Sequence, residues 1–375
     1  MSAFPQPLKG IRVLDFSHYL PGPYCTSLLA AFGAEVIKVE GLNGDPLRRF
    51  HPALFEQINS DKSAVMLDLG SLQGQQQAQA LVRQSDLVVD GFRPGVGEKL
   101  GLDAASLRAA QPQLVVTSIS GFGYSGPYSH HAAHDLTTLA VAGYFSMPSS
   151  MAGKPSRPHV RLADLQAGQM AAMASMMALQ QAQQTGIGSH VDACMFDAVA
   201  HMALPMLLSI PSQIPDAALT ASDMPQVMAD SELYLCRDGK YLAVATMEDK
   251  YWLNLAAVLG QFNSAFCDSV YATRVGRDAN KVALYELLKQ TFLSQDRDDW
   301  LALIATVDTI VTPVYLGREV LQDEHLQARQ LSQSVNGTQV GLLPVCFDGK
   351  RNHIVNSAPK LGADNDRLLV ALEIE

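Results

Sequence analysis

Short apolar runs at Ile11–Phe16 and Ala34–Val39 enclose a helix-like stretch, Gly22–Phe32, and similar runs return at Leu87–Val89 and Leu114–Ser118 after further helical segments. Strands that alternate with helices are joined by crossovers, and crossovers favour a parallel sheet covered by helices. The chain is therefore expected to fold as an α/β protein. Its glycines form neither a G-x-G-x-x-G fingerprint nor a Walker loop, so the two standard phosphate cradles are unsupported. Gly121-Phe122-Gly123 reads as readily as a turn after a strand as it does as part of a site.

At 375 residues the chain exceeds what one hydrophobic core usually serves, so two domains are expected, and an apolar share of 48% leaves ample material for both cores. The expected large domain covers 1–203. A stretch rich in Pro, Ser and Ala follows, giving a linker at 204–230. A small domain at 231–317 opens with a hairpin, Glu232–Ala245 turning at Asp238-Gly239, with helix candidates at Tyr251–Leu259 and Ala283–Phe292. Residues 318–375 are expected to complete the large domain, with Thr312-Pro313-Val314 and Glu319–Arg329 as the return.

The net charge of −10 argues against nucleic acid or an anionic membrane as the main partner. The first 100 residues hold 9 Lys/Arg and 10 Asp/Glu, a balance of −1, so a polyanionic ligand has basic residues available there. Cys25, Cys194, Cys236, Cys267 and Cys346 are scattered and contain no C-x-x-C pair, which reads as free thiols without a zinc or redox motif. Residues 1–8 lack a signal-peptide pattern and no apolar run approaches membrane-spanning length, so a cytoplasmic, metal-free protein is expected. The final Leu-Glu-Ile-Glu is no peroxisomal address.

Three clusters carry candidate chemistry: His134-Asp135, Leu162-Ala163-Asp164 and Met247-Glu248. The imidazole of His134 and the carboxylates of Asp164 and Glu248, if they converge, offer a proton acceptor and a proton donor on opposite sides of one carbon. Each also has a plainer reading. Asp164 opens an Ala/Met/Gln-rich helical stretch that stops at Thr185-Gly186-Ile187-Gly188, and Asp is a favoured helix cap. Glu248 beside Asp249 and Lys250 reads as a solvated turn. Met170, Met173 and Met177 have helical spacing and are expected to form a core stripe, the alternative being a surface beneath a flexible acyl chain.

Longer motifs decide among these readings: Gly10-Ile11-Arg12-Val13-Leu14-Asp15, Pro21-Gly22-Pro23, Phe32-Gly33-Ala34-Glu35-Val36-Ile37-Lys38-Val39-Glu40, Phe92-Arg93-Pro94-Gly95 and Gly186-Ile187-Gly188-Ser189-His190-Val191-Asp192. With them the chain resembles the family III coenzyme A transferases, and within these the α-methylacyl-CoA racemase branch. The resemblance implies a Rossmann-like parallel-sheet large domain, a smaller α+β domain and an interlocked homodimer. It implies an acyl-CoA substrate, with coenzyme A as part of the substrate and no tightly bound cofactor.

By the same resemblance Asp164 matches the family's catalytic aspartate, while His134 and Glu248 match the histidine and glutamate that the racemases add. Asp135 is implied as a supporting residue, its helix start offering backbone N–H groups to an enolate oxygen. Arg48, Arg93, Lys99, Leu67, Asp68, Leu69 and Ala133 are the implied coenzyme A contacts. Three positions depart from the family: Ala133 stands where the racemases usually have glycine, Gly41 where an arginine often follows, and Gly70 where a lysine is common. The expected activity is inversion of a 2-methylacyl-CoA, against an acyl-CoA:carboxylate CoA-transferase with Asp164 as nucleophile, or a silent CoA-binding protein.

Overall fold

Each apolar run of the first half becomes a strand whose side chains alternate between two cores. The computed structural model describes residues 4–146, 157–209 and 228–370. They belong to two units, one of Met1–Met147, Ser156–Ile214 and Gln330–Glu375, the other of Pro148–Pro155 and Pro215–Arg329.

In the first unit, β1 (Arg12–Asp15), β2 (Glu35–Glu40), β3 (Ser63–Met66), β4 (Leu87–Asp90), β5 (Val115–Ser120) and β6 (His190–Cys194) form one sheet in the order β3-β2-β1-β4-β5-β6. All of its pairings are parallel. Val13, Val36, Val89 and Val115 enter one buried cluster, and Leu14, Ile37, Val88 and Val116 enter the other. Helices cover both faces, which is why the strands read as continuous apolar runs. The chain leaves β1 toward β2 on one side and returns to β4 on the other. The crevice above the carboxyl ends of β1 and β4 is therefore the switch point where such sheets bind ligands. Two strands, β3 and β6, lie outside the four runs read from the sequence; both are sheet edges, and β6 is mostly exposed or half-buried.

The helix Leu162–Thr185 ends where the sequence indicated, at Gly186 with φ 74°. Its buried face is not the methionine stripe expected. Ala163, Ala167, Gly168, Ala171, Ser175 and Ala178 are buried, whereas Met173 and Met177 are 46% and 59% exposed. Close approach requires the small residues: a Cβ on Gly168 would stand 2.5 Å from the Pro21 carbonyl oxygen. That oxygen belongs to the first residue of the helix Pro21–Ala31, which follows the β1 loop.

The second unit is built on an antiparallel sheet, β7 (Ser231–Leu235), β8 (Tyr241–Ala245) and β9 (Val311–Val314), in that order. The predicted hairpin turn carries Gly239 at φ 77°. Helices Asp249–Leu259, Lys281–Phe292 and Arg297–Ile304 supply Trp252, Phe292 and Trp300 to the unit's own core. Thr312-Pro313-Val314 is not a return segment, because it pairs with β8, and Pro313 is tolerated there because β9 is an edge strand. Glu319–Arg329 likewise stays in this unit, which continues to Arg329. Residues 210–227 of the expected linker, and the C-terminal Leu-Glu-Ile-Glu, lie outside the described residues. Among the described residues no helix is long and apolar enough to cross a membrane.

Candidate active site

The loop after β1 is fixed by charges that have left water. Asp15 accepts from the Thr26 hydroxyl at 2.6 Å and from Lys62 Nζ at 3.1 Å, and Lys62 donates also to Asn59 and to the Pro23 carbonyl. A second pair, Lys38–Asp45 at 3.0 Å, has both side chains fully buried, and Lys38 Nζ donates to the Ser17 carbonyl. Burial opposes ionisation of Asp15, yet Lys62 and Lys38 together hold its carboxyl well below the usual range. Burial pushes the Lys62 amine down to about 8 against the attraction of Asp15. Removing one partner of such a pair strands the other charge, at a cost of about 3–5 kcal/mol.

This frame holds one residue in a costly backbone state. Tyr19 has φ 62°, in the left-handed region that a bulky side chain avoids. A state of this kind costs on the order of 1–3 kcal/mol and persists only where its surroundings over-determine it. The Tyr19 N–H reaches Asp45 Oδ1 at 3.4 Å, and the Tyr19 ring meets the His134 imidazole edge to face, with centroids 6.1 Å apart at 85°.

His134 is the exposed residue before the helix Asp135–Val141, and its N–H donates to Thr137 Oγ1 at 3.0 Å. Asp135, buried, is turned the other way. Its Oδ1 accepts the Ala163 N–H at 2.8 Å and the Asp164 N–H at 3.4 Å. The helix Leu162–Thr185 has no cap of its own at Arg161, so a carboxylate 28 residues earlier in the chain supplies one. Asp164 is thus the residue whose start is capped, not the cap. Burial first, and the Asp135 charge second, raise its carboxyl to about 7, with Arg161 opposing. A carboxyl in this range can both give and take a proton near neutral pH.

The other predicted residues fall in several places. Leu67 is core, Leu69 packs against that core, and Asp68 is exposed, its Oδ1 accepting the Gly70 N–H at 3.1 Å. Arg48 is engaged internally, with Glu40 at 2.6 and 2.9 Å and with the Pro359 carbonyl at 2.9 Å, and its guanidinium lies 4.1 Å from the Phe55 ring centre. Arg93 and Lys99 are exposed beyond the end of β4. Glu248 belongs to the second unit, exposed before the helix Asp249–Leu259; the carbonyl of neighbouring Met247 is held by buried Arg277 at 2.8 Å, and Arg277 pairs with Asp230 at 2.6 Å.

Sequence reasoning missed Tyr19 and Asp90. Asp90 ends β4 and is raised to about 6 by burial, although the Phe92 N–H and the Ser118 hydroxyl both donate to it. Strand-end placement was the available signal for Asp90. A cleft of about 340 Å³, lined in part by Leu20, Tyr24, Leu54, Ile58, Arg161 and Leu165, opens beside the start of the Asp164 helix.

A family model described as CoA-transferase family III matches residues 8–365. The chain belongs to that family. Among similar family proteins, a succinyl-CoA–D-citramalate CoA-transferase of Chloroflexus aurantiacus is 31% identical over 90% of this chain and 85% of its own. Human α-methylacyl-CoA racemase is 29% identical over 86% of this chain and 81% of its own. A solved CAIB/BAIF family protein from Brucella suis superposes with a TM-score of 0.85, at 28% identity, covering 98% of this chain and all of that one.

Small residues stand at three positions where this family III chain departs from the pattern: Ala133, Gly41 and Gly70. A Cβ built on Gly121 would lie 2.3 Å from the Ala133 Cβ, so the extra methyl of Ala133 occupies space that Gly121 leaves empty. Ala133 packs against the first core there. Around Gly41 nothing stands within 4 Å of a would-be Cβ, and Gly70 faces only Asp68 Oδ1, at 3.2 Å.

Proposed function

We propose that this protein inverts the α-carbon of a 2-methylacyl-CoA by proton transfer through an enolate. The observation that carries the reading is the junction at Asp135: one carboxylate starts the helix after His134 and caps the helix that bears Asp164, tying an imidazole and a second carboxyl to one seam. In the forward direction His134 takes the α-proton. The C–H electron pair becomes the carbon–carbon double bond of the enolate, and the thioester carbonyl pair moves to oxygen. Protonated Asp164 then returns a proton to the opposite face, and the roles exchange in reverse. Burial and the Asp135 charge, which keep Asp164 near pH 7, support its alternation between the two forms. Exposed Arg93 and Lys99, past β4, are suited to coenzyme A phosphates, and the apolar cleft beside Leu165 suits an acyl group. Coenzyme A enters as part of the substrate, with no tightly bound cofactor, and the working form is an interlocked homodimer.

Deuterium uptake from solvent into 2-methylacyl-CoA thioesters, without added carboxylate, tests the reading. Uptake is expected, with His134→Ala depressing exchange mainly from one enantiomer and Asp164→Asn from the other, each by about 10²–10⁴-fold. No uptake with any thioester overturns it. The second reading is favoured by the D-citramalate enzyme and other relatives whose names are those of CoA-transferases. There the Asp164 carboxylate attacks the thioester carbon, the carbon–sulfur bond breaks, and coenzyme A leaves as thiolate while the acyl group stays on Asp164 as a mixed anhydride. Hydroxylamine trapping of an adduct on Asp164, with ping-pong kinetics, decides for it.

A further inference from the structure

We propose that Tyr19 is a positioning residue for the His134 imidazole, its ring held out by a strained loop that the buried ion pairs brace. The geometry stands on its own; its catalytic consequence rests on the proton-transfer reading of His134.

Three observations converge. Tyr19 is 47% exposed, so its ring gains little from burial, while its φ of 62° suits glycine or asparagine far better than an aromatic residue. Stability alone does not account for a tyrosine there. Next, the loop is pinned on both sides of Tyr19. Lys38 holds the Ser17 carbonyl, Asp45 receives the Tyr19 N–H, and Gly22 is required beneath, because a Cβ there would overlap the Ser17 side chain at 2.1 Å. Finally, the ring so presented meets His134 at 6.1 Å and 85°, within the range that favours edge-to-face aromatic pairs. His134 is exposed at a helix start, where the capping box turns its imidazole toward the Thr137 backbone and leaves the outer side of the ring open. The Tyr19 ring closes one side of it and fixes the face from which the imidazole meets its proton.

The test uses full-length protein labelled at histidine with carbon-13, the His134 signal being identified by its loss in His134→Gln. Tyr19→Phe keeps the ring. Tyr19→Asn keeps the left-handed backbone without it, and Tyr19→Gly is a second ringless variant that relieves the backbone. The His134 ring signal is expected to stay in place in Tyr19→Phe and to move in Tyr19→Asn and Tyr19→Gly as the ring-current shift is lost. For the enantiomer whose proton His134 takes, kcat of α-hydrogen exchange should fall by up to about a hundredfold in the ringless variants with KM little changed, and recover in Tyr19→Phe. Coincident His134 signals in wild type and folded ringless variants overturn the proposal, as does a moved signal with unchanged kcat. Absence of exchange in the wild type defeats the reading of function instead, and the His134 signals still decide whether Tyr19 restrains the imidazole.

Discussion

Replacing Asp135 separates its two effects on Asp164. Asp135→Ala removes an acceptor that takes one short N–H bond at 2.8 Å and one near the limit at 3.4 Å, leaving the N–H of buried Ala163 unpaired. One charge-assisted bond with its stranded donor is worth about 2–3 kcal/mol. At about 2–4 °C per kcal/mol for a unit of this size, the larger unit's transition should fall by roughly 5–10 °C. Asp135→Asn retains an acceptor oxygen and loses only the charge, so its stability loss should be about 1 kcal/mol.

The sign of the pH effect follows from the cause. The Asp135 charge raises the Asp164 carboxyl, so Asn at 135 should lower it from about 7 toward its ordinary value. A raised acid binds its proton better in the folded than in the unfolded chain. Asp164 therefore contributes stability that is full below pH 4 and lost as pH climbs through 7. In Asp135→Asn that loss should finish at lower pH, and the limb of the exchange-rate profile that belongs to Asp164 should shift to the acid side. Calorimetry and exchange rates from pH 4 to 9 measure both. An unmoved limb in Asp135→Asn, with an unchanged transition in Asp135→Ala, refutes the capping argument.

Gly121→Ala should cost about 1–3 kcal/mol by overpacking against the Ala133 methyl, and the double variant with Ala133→Gly should regain most of it in a denaturation cycle. Lys62→Met should destabilise by about 3–5 kcal/mol by stranding buried Asp15, read by chemical denaturation. Arg93→Ala should weaken coenzyme A binding by about 1.5–3 kcal/mol in calorimetry, with wild-type affinity falling at higher salt.

What could be read from the chain was local. Glycine after Thr185 stopped a helix, Asp238-Gly239 turned a hairpin, and alternating runs made parallel strands, because each signal and its result lie within one element. The facing of the methionines could not be read that way. Alanine and methionine both satisfy a helical apolar period, and the tight seat against Pro21 selected the smaller side chains. The cap on the Asp164 helix comes from Asp135, and the φ of Tyr19 from charges on β2 and the loop beyond it. Local pattern carries no record of such partners.

The helix that carries Asp164 runs for 24 residues, a rod of roughly 36 Å at 1.5 Å per residue. Its far end is tethered by Gly186 and by Gly188, where a Cβ would stand 2.0 Å from the Leu114 carbonyl oxygen. A rod is also a lever. A tilt of about five degrees about that far end would swing the near end by roughly 3 Å, several times the misplacement that already slows a reaction. The aim of the Asp164 carboxyl is therefore set in part at two glycines beside the starts of β5 and β6, where a single added methyl would act on the chemistry without approaching the substrate.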